Sequence, residues 1–218
     1  MKKEIKKQIK EDEFVSVVTH VVRFFQTHHK TMAAAAAGIL AVILLVIGVR
    51  FLRARTLQKQ SRIVTELISL RSELDKDPKK LADLEKKAGD GKFERFGYVL
   101  IGTYWMDNGD LSKAEEAFRK IKDRPRDLTY YQAKDLLGQI AVLRKDYDGA
   151  VKIFDAIEKD RPQDYALDAV LFHKAEALEK KGDKAGALAL YKKLQETYSQ
   201  TYFGYDASMK VRKLEAGQ

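Results

Sequence analysis

Between Lys30 and Arg50 the chain carries 19 uncharged residues, Thr31 to Val49, opening on a run of alanines and closing on an aliphatic run. At a helical rise of ~1.5 Å per residue that stretch measures about 28 Å, close to the ~30 Å of bilayer hydrocarbon. A cleaved signal peptide would be shorter, nearer the start and followed by small residues. Here the small residues come first and the run ends in Arg50-Phe51-Leu52-Arg53. The competing assignment, a buried core helix, seldom exceeds about 14 uninterrupted apolar residues. The pattern predicts an uncleaved single-pass transmembrane helix over 31–52, after a 1–30 tail and ahead of a 53–218 domain. Upstream, Phe14, Val17, Val18, Val21, Val22 and Phe25 recur at helical spacing. They predict a short amphipathic helix, lying on the membrane or packed on a partner. Downstream, Ile63, Leu67, Leu70 and Leu74 form one stripe on a long helix ending near Asp75. That stripe packs on its own domain, or pairs with another chain as a short coiled coil.

The remaining apolar positions repeat. Gly102, Trp105, Ala114, Phe118 and Ile121 reappear 36 residues later as Gly138, Ala141, Ala150, Phe154 and Ile157. A third copy, displaced by 37, is Ala175, Leu178, Ala187, Tyr191 and Leu194. The order of a small residue, a Gly or Lys-Asp turn, then Ala-x3-aromatic-x2-aliphatic resembles the tetratricopeptide repeat (TPR). The periods exceed that motif's ~34 residues, and the extra residues fall in loops around Arg126 and Gln163. Each unit is two helices whose apolar faces cannot be buried alone. Gly102, Gly138 and Ala175 let the first helix approach the second, Ala114, Ala150 and Ala187 sit at the crossing, and the ring fills the gap towards the next unit. The fold class is therefore all-α, a single N-terminal transmembrane helix followed by a solenoid of about three repeats with capping helices. The repeats fall at about 94–126, 131–162 and 168–200. Asp77-Pro78 marks an N-cap with proline at the first helical position, opening a short helix to about Ala88 with Gly89-Asp90-Gly91 as its exit turn. At the other end, 202–216 reads as a polar-backed capping helix burying Phe203, Ala207, Val211 and Leu214.

Charge narrows the function classes. The chain has a net charge of +9 and no cysteine, which excludes disulfide frameworks, zinc ribbons and cysteine nucleophiles. Residues 1–30 hold seven Lys/Arg against four Asp/Glu, so the remaining surplus is thinly spread over the domain. Repeat helices that alternate Lys113, Glu115, Glu116, Arg119 and Lys120 make a soluble exterior rather than a nucleic-acid stripe. Basic residues flank the span at Lys30, Arg50, Arg53 and Arg55, as ordinary snorkelling flanks or as contacts for anionic headgroups. Their balance leaves orientation open: charges close to the span favour a cytoplasmic C-terminal domain, and the whole tail reverses the tally. No phosphate-binding glycine loop is present. His28 and His29 point about 100° apart on a helix and cannot chelate one ion unaided. His173 shows no Ser or Asp partner arrangement in sequence, and Glu11-Asp12-Glu13 reads as solvated tail. No catalytic constellation, cofactor or metal site is expected.

The TPR resemblance implies an inner groove lined by the first helix of each unit. In the first copy the candidates are Phe96, Val99, Thr103 and Met106; in the second, Gln132, Asp135, Gln139 and Val142. In the third they are Ala169, Phe172, Glu176 and Glu179. Such a groove is apolar at one end and acidic at the other, and lacks the Lys, Asn and Arg clamp of members that bind chaperone tails. An open apolar end suits a hydrophobic or extended polypeptide; alternatively the opening helix pair covers Phe96 and Val99.

Phe24-Phe25 before a polar Thr27-His28-His29-Lys30, one span, a long basic helix and three atypical repeats resemble the bacterial inner-membrane family of ancillary SecYEG translocon subunits (YfgM-like). The resemblance covers roughly residues 14–197; the lysine-rich first ten residues and the regular repeats depart from it. It implies a cytoplasmic N-terminus and a periplasmic domain. It also implies association with the SecYEG translocon and a membrane-anchored parvulin-type chaperone, assisting exported clients without catalysis. The alternative is a scaffold organising another inner-membrane complex, cytoplasm-facing or homodimeric through the Ile63–Leu74 stripe.

Overall fold

The computed structural model describes residues 2–89 and 91–216, without the side chains of residues 2–14, 17, 25, 29, 35 and 36. Its described elements are helical, and the chain divides into two compact units, Met1–Ser61 and Arg62–Gln218.

Helix α1 (Lys2–Glu73) runs without a break through the apolar stretch. The expected separate amphipathic helix is thus absorbed into one continuous helix: the first glycine is Gly38, and no proline precedes Pro78, so nothing interrupts the backbone ladder. Phe14, Val17, Phe25 and the acidic triplet lie outside the described side chains, while Val18, Val21 and Val22 are exposed. The part of α1 from Lys30 onward is long and apolar enough to cross a membrane, and none of its most apolar window is buried.

In the second unit the last turns of α1 meet α2 (Leu81–Ala88) and α3 (Glu94–Asp107). The Asp77 side chain accepts a bond from the Lys79 amide, and Pro78–Lys80 forms a 3-10 turn that feeds α2. Leu67 and Leu74 are fully buried with Leu84, Ala88, Ile101 and Tyr104, and Ile63 and Leu70 pack against them. The stripe therefore seals its own domain. Arg71 pairs with Asp107, Lys80 with Glu73 and Lys87 with Glu66 around the seam.

Three hairpins follow: α3 with α4 (Leu111–Arg119), α5 (Leu128–Leu143) with α6 (Tyr147–Asp160), and α7 (Leu167–Lys181) with α8 (Lys184–Thr197). Helix α9 (Tyr202–Ala216) completes the stack. Each second helix starts on an aspartate cap: Asp110, Asp146 and Asp183 accept from the amides of Lys113, Gly149 and Gly186. Left-handed residues precede the caps at Gly109 (φ 77°) and Gly182 (φ 95°), and at Lys145 (φ 64°) in the middle unit.

The rings sit where the period places them. Phe118 lies with Val99, Ala133 and Ile140; Phe154 with Val170 and Ala177; Tyr191 with Ala207 and Val211. Each thus bridges its own hairpin and the element that follows, and each is essentially solvent-free. Burying one such side chain contributes about 2–3 kcal/mol.

Candidate protein-binding surface

The first-helix positions expected to line a groove divide into three groups. At one end, Phe96 packs against the cluster built by α1, α2 and α3. Val99 is buried beneath Phe118 and Ala133. The opening helices thus cover Phe96 in part and the next repeat covers Val99.

The far end is closed by α9. Phe172 is buried, its ring centroid 5.3 Å from that of Phe203 and 5.6 Å from that of Tyr191. Ala169 is buried as well. The Lys210 ammonium donates to Glu179 at 2.9 Å and lies 3.5 Å from Glu176. The Tyr191 hydroxyl donates to the same Glu179 carboxylate at 3.0 Å. Burial disfavours the Glu179 charge, but Lys210 and Tyr191 outweigh it and hold the carboxyl below its ordinary 4.5. The acidic end is thereby spent on the chain's own last helix.

The middle holds a polar core that the sequence did not disclose. Asp135 is 4% exposed. Its carboxylate faces His173 Nδ1 at 2.9 Å and accepts from the Tyr165 hydroxyl at 3.1 Å and from Gln139 Nε2 at 3.2 Å. The expectation that His173 lacks an aspartate partner is therefore wrong, and Asp135 is no open groove residue. Burial and the Asp135 charge both push the Tyr165 phenol pKa up, so it stays a hydrogen-bond donor. The signal that could have found this pair is the occurrence of Asp135 and His173 near matched places in successive first helices. Among the described residues no Ser hydrogen-bonds to either, and the arrangement ties two repeats together.

Half-buried Thr103, Met106, Gln132, Gln139 and Val142 remain. Thr103 Oγ1 donates to the Leu100 carbonyl, while Met106 and Val142 lean on the cores of their repeats. The basic flanks Lys30, Arg50, Arg53 and Arg55 are exposed on α1, with the Arg55 guanidinium 4.5 Å from the Phe51 ring centroid.

A separate clamp holds the loop between the first two repeats. Arg95 donates to the carbonyls of Lys122, Arg124 and Pro125 and to the Asp127 carboxylate. Asp127 in turn caps α5 through the Tyr130 amide. The analogous joint further on pairs Arg126 with Asp160 at 2.8 Å.

These stacked hairpins make the second unit a TPR-like helical solenoid, the class of a protein-interaction module. A family model described as tetratricopeptide repeat matches residues 169–201, the third hairpin with its exit. No curated protein and no solved structure matches the chain.

Proposed function

We propose that the protein is a membrane-anchored TPR interaction protein that holds chaperone or client chains at the SecYEG translocon, with its N-terminus cytoplasmic and its solenoid periplasmic. The observation that carries this reading is the pairing of one exposed apolar helix, long enough to span a bilayer, with a repeat module of the protein-binding class. The layout of tail, span and atypical repeats supports the translocon association, through its resemblance to the YfgM-like family. The contact surface within the solenoid is the half-buried strip of Thr103, Met106, Gln132, Gln139 and Val142, between the two ends of the stack. A membrane-anchored parvulin-type chaperone and newly exported clients are the partners that fit.

Protease treatment of intact spheroplasts tests the topology. Loss of the C-terminal domain without lysis supports the periplasmic placement; protection until lysis makes the protein a cytoplasm-facing scaffold instead. Purification from solubilised membranes tests the partner, since absence of the translocon subunits and of the chaperone from the eluate overturns the assignment. Homodimerisation through the Ile63–Leu74 stripe, part of the alternative reading, is disfavoured because Leu67 and Leu74 are fully buried against α2 and α3 and Ile63 and Leu70 are partly covered there.

A further inference from the structure

Helix α9 was expected to turn a polar back to solvent, and it does not. Tyr202 is 72% exposed, Tyr205 63% and Met209 49%. These positions share one helix face, opposite the buried Gly204, Ala207 and Val211. Among the described residues of 62–218, the other strongly exposed large apolar side chains are Ile68 on α1 and Leu128 and Leu143 at opposite ends of α5. Only on α9 do such residues form a stripe. An outer helix face turned to water is ordinarily polar, so this bare apolar stripe is a surface suited to being covered.

The charges on the stripe indicate what covers it. Asp206 lies in the first half of α9, and Arg212 and Lys213 in the second. Lys210 is directed inward to Glu176 and Glu179, but Asp206 and Lys213 form no ion pair within the described residues. Asp206 stands close enough to Tyr202 to raise its phenol pKa, and the Arg212 guanidinium rests on the Met209 sulfur at 2.6 Å. We propose that this face docks on the same face of a second copy of the chain, the two α9 helices running antiparallel about a two-fold axis at Met209. Positions on the same flank of the stripe, at about equal distances from the axis, then meet. Asp206 and Lys213 lie on one flank of Met209 and Tyr205 and Arg212 on the other, so Asp206 faces the partner's Lys213, Tyr205 lies against the stem of the partner's Arg212, and Tyr202 covers the partner's Ala216. A parallel arrangement would set like charges together and align the helix dipoles unfavourably. The acid-then-base order makes the stripe complementary to itself, which an unrelated acidic or basic partner would not require. One helix face is small beside the ~800 Å² per partner of a standard interface. The contact is therefore weak between free molecules and gains from confinement of both copies to one surface.

The absence of cysteine makes the test clean. The full chain with Met209→Cys, reconstituted in lipid vesicles and oxidised with copper phenanthroline, forms a covalent dimer as its main product. The same chain with Lys152→Cys on α6 stays monomeric. In the Met209→Cys background, Asp206→Lys or Lys213→Asp each lowers the dimer yield roughly tenfold, and the two together restore it, with helicity unchanged throughout. Equal crosslinking at both cysteine positions means random collision and overturns the proposal. A monomer at Met209→Cys, or crosslinking there to a different protein in native membranes, overturns it too. Failure of the paired charge reversal to rescue dimer yield overturns the antiparallel geometry on which the proposal stands.

Discussion

Gly138 lies so close to the Phe154 ring that a Cβ at 138 would sit 2.5 Å from it. Gly102 and Phe118 stand in the same relation one repeat earlier, and Ala175 and Tyr191 occupy the matching places one repeat later. Because Phe154 is fully buried, its ring cannot swing into solvent to make room. Gly138→Ala therefore costs about 1–3 kcal/mol by overpacking, measured by urea unfolding of the full chain in detergent. Pairing it with Phe154→Leu recovers part of the loss. An unchanged midpoint for Gly138→Ala would mean that the helices are not in close contact at this crossing.

Lys145 occupies the left-handed turn that glycine fills in the flanking repeats. A side chain in that conformation costs roughly 1 kcal/mol or more. Lys145→Gly raises stability by about 1 kcal/mol, less the greater unfolded-state freedom of glycine. Gly109→Lys and Gly182→Lys move the thermal midpoint the other way. The three midpoints, compared in one detergent, check the sign.

Asp135 anchors the only buried carboxylate–histidine pair among the described residues. Asp135→Ala leaves the Tyr165 hydroxyl and His173 without their acceptor in a desolvated place, and costs about 3 kcal/mol. Tyr165→Phe costs less alone. In the double variant the two losses are not additive, with a coupling of about 1 kcal/mol or more. Strict additivity in a double-mutant cycle would deny the network.

Acid should loosen the α9 end. Burial works against the charge of both Glu179 and Glu158, yet Lys210 with Tyr191, and Lys174 with Lys193, overcome it and lower both pKa values from 4.5. A carboxyl lowered by folding contributes stability that is whole above its unfolded value and is lost as pH falls through the folded one. The thermal midpoint thus holds steady from neutral pH down to about pH 5 and drops below about pH 4. The raised pKa of Lys210 keeps its charge in place across that window. Lys210→Met removes the Glu179 share of the acid loss and leaves that of Glu158. An identical acid profile in Lys210→Met would rule out Glu179 as a source.

For the proposed contact strip, Met106→Asp combined with Val142→Asp lowers recovery of translocon and chaperone by about tenfold while far-ultraviolet circular dichroism stays unchanged. Undiminished co-purification would move the contact to the apolar part of α1.

The hairpins, their turns and the rings between them are legible in the chain's own pattern. Burial acts on each helix separately and selects residue type at helical spacing, so Gly138, Ala150 and Phe154 announce their roles within one 36-residue period. The apolar run after Lys30 is legible for the same reason, since its length and composition are local. What lies over each face depends on contacts between helices far apart in sequence. A groove position such as Val99 or Phe172 has the same spacing whether solvent or a neighbouring helix covers it, and here Phe118 and Phe203 do. Asp135 and His173, 38 residues apart, meet only because two first helices stack side by side, and their types alone do not record that crossing. The bare stripe of α9 is the converse case: its apolar residues show in sequence, but only the packing of Ala207 and Val211 inward reveals that Tyr202, Tyr205 and Met209 are left facing out.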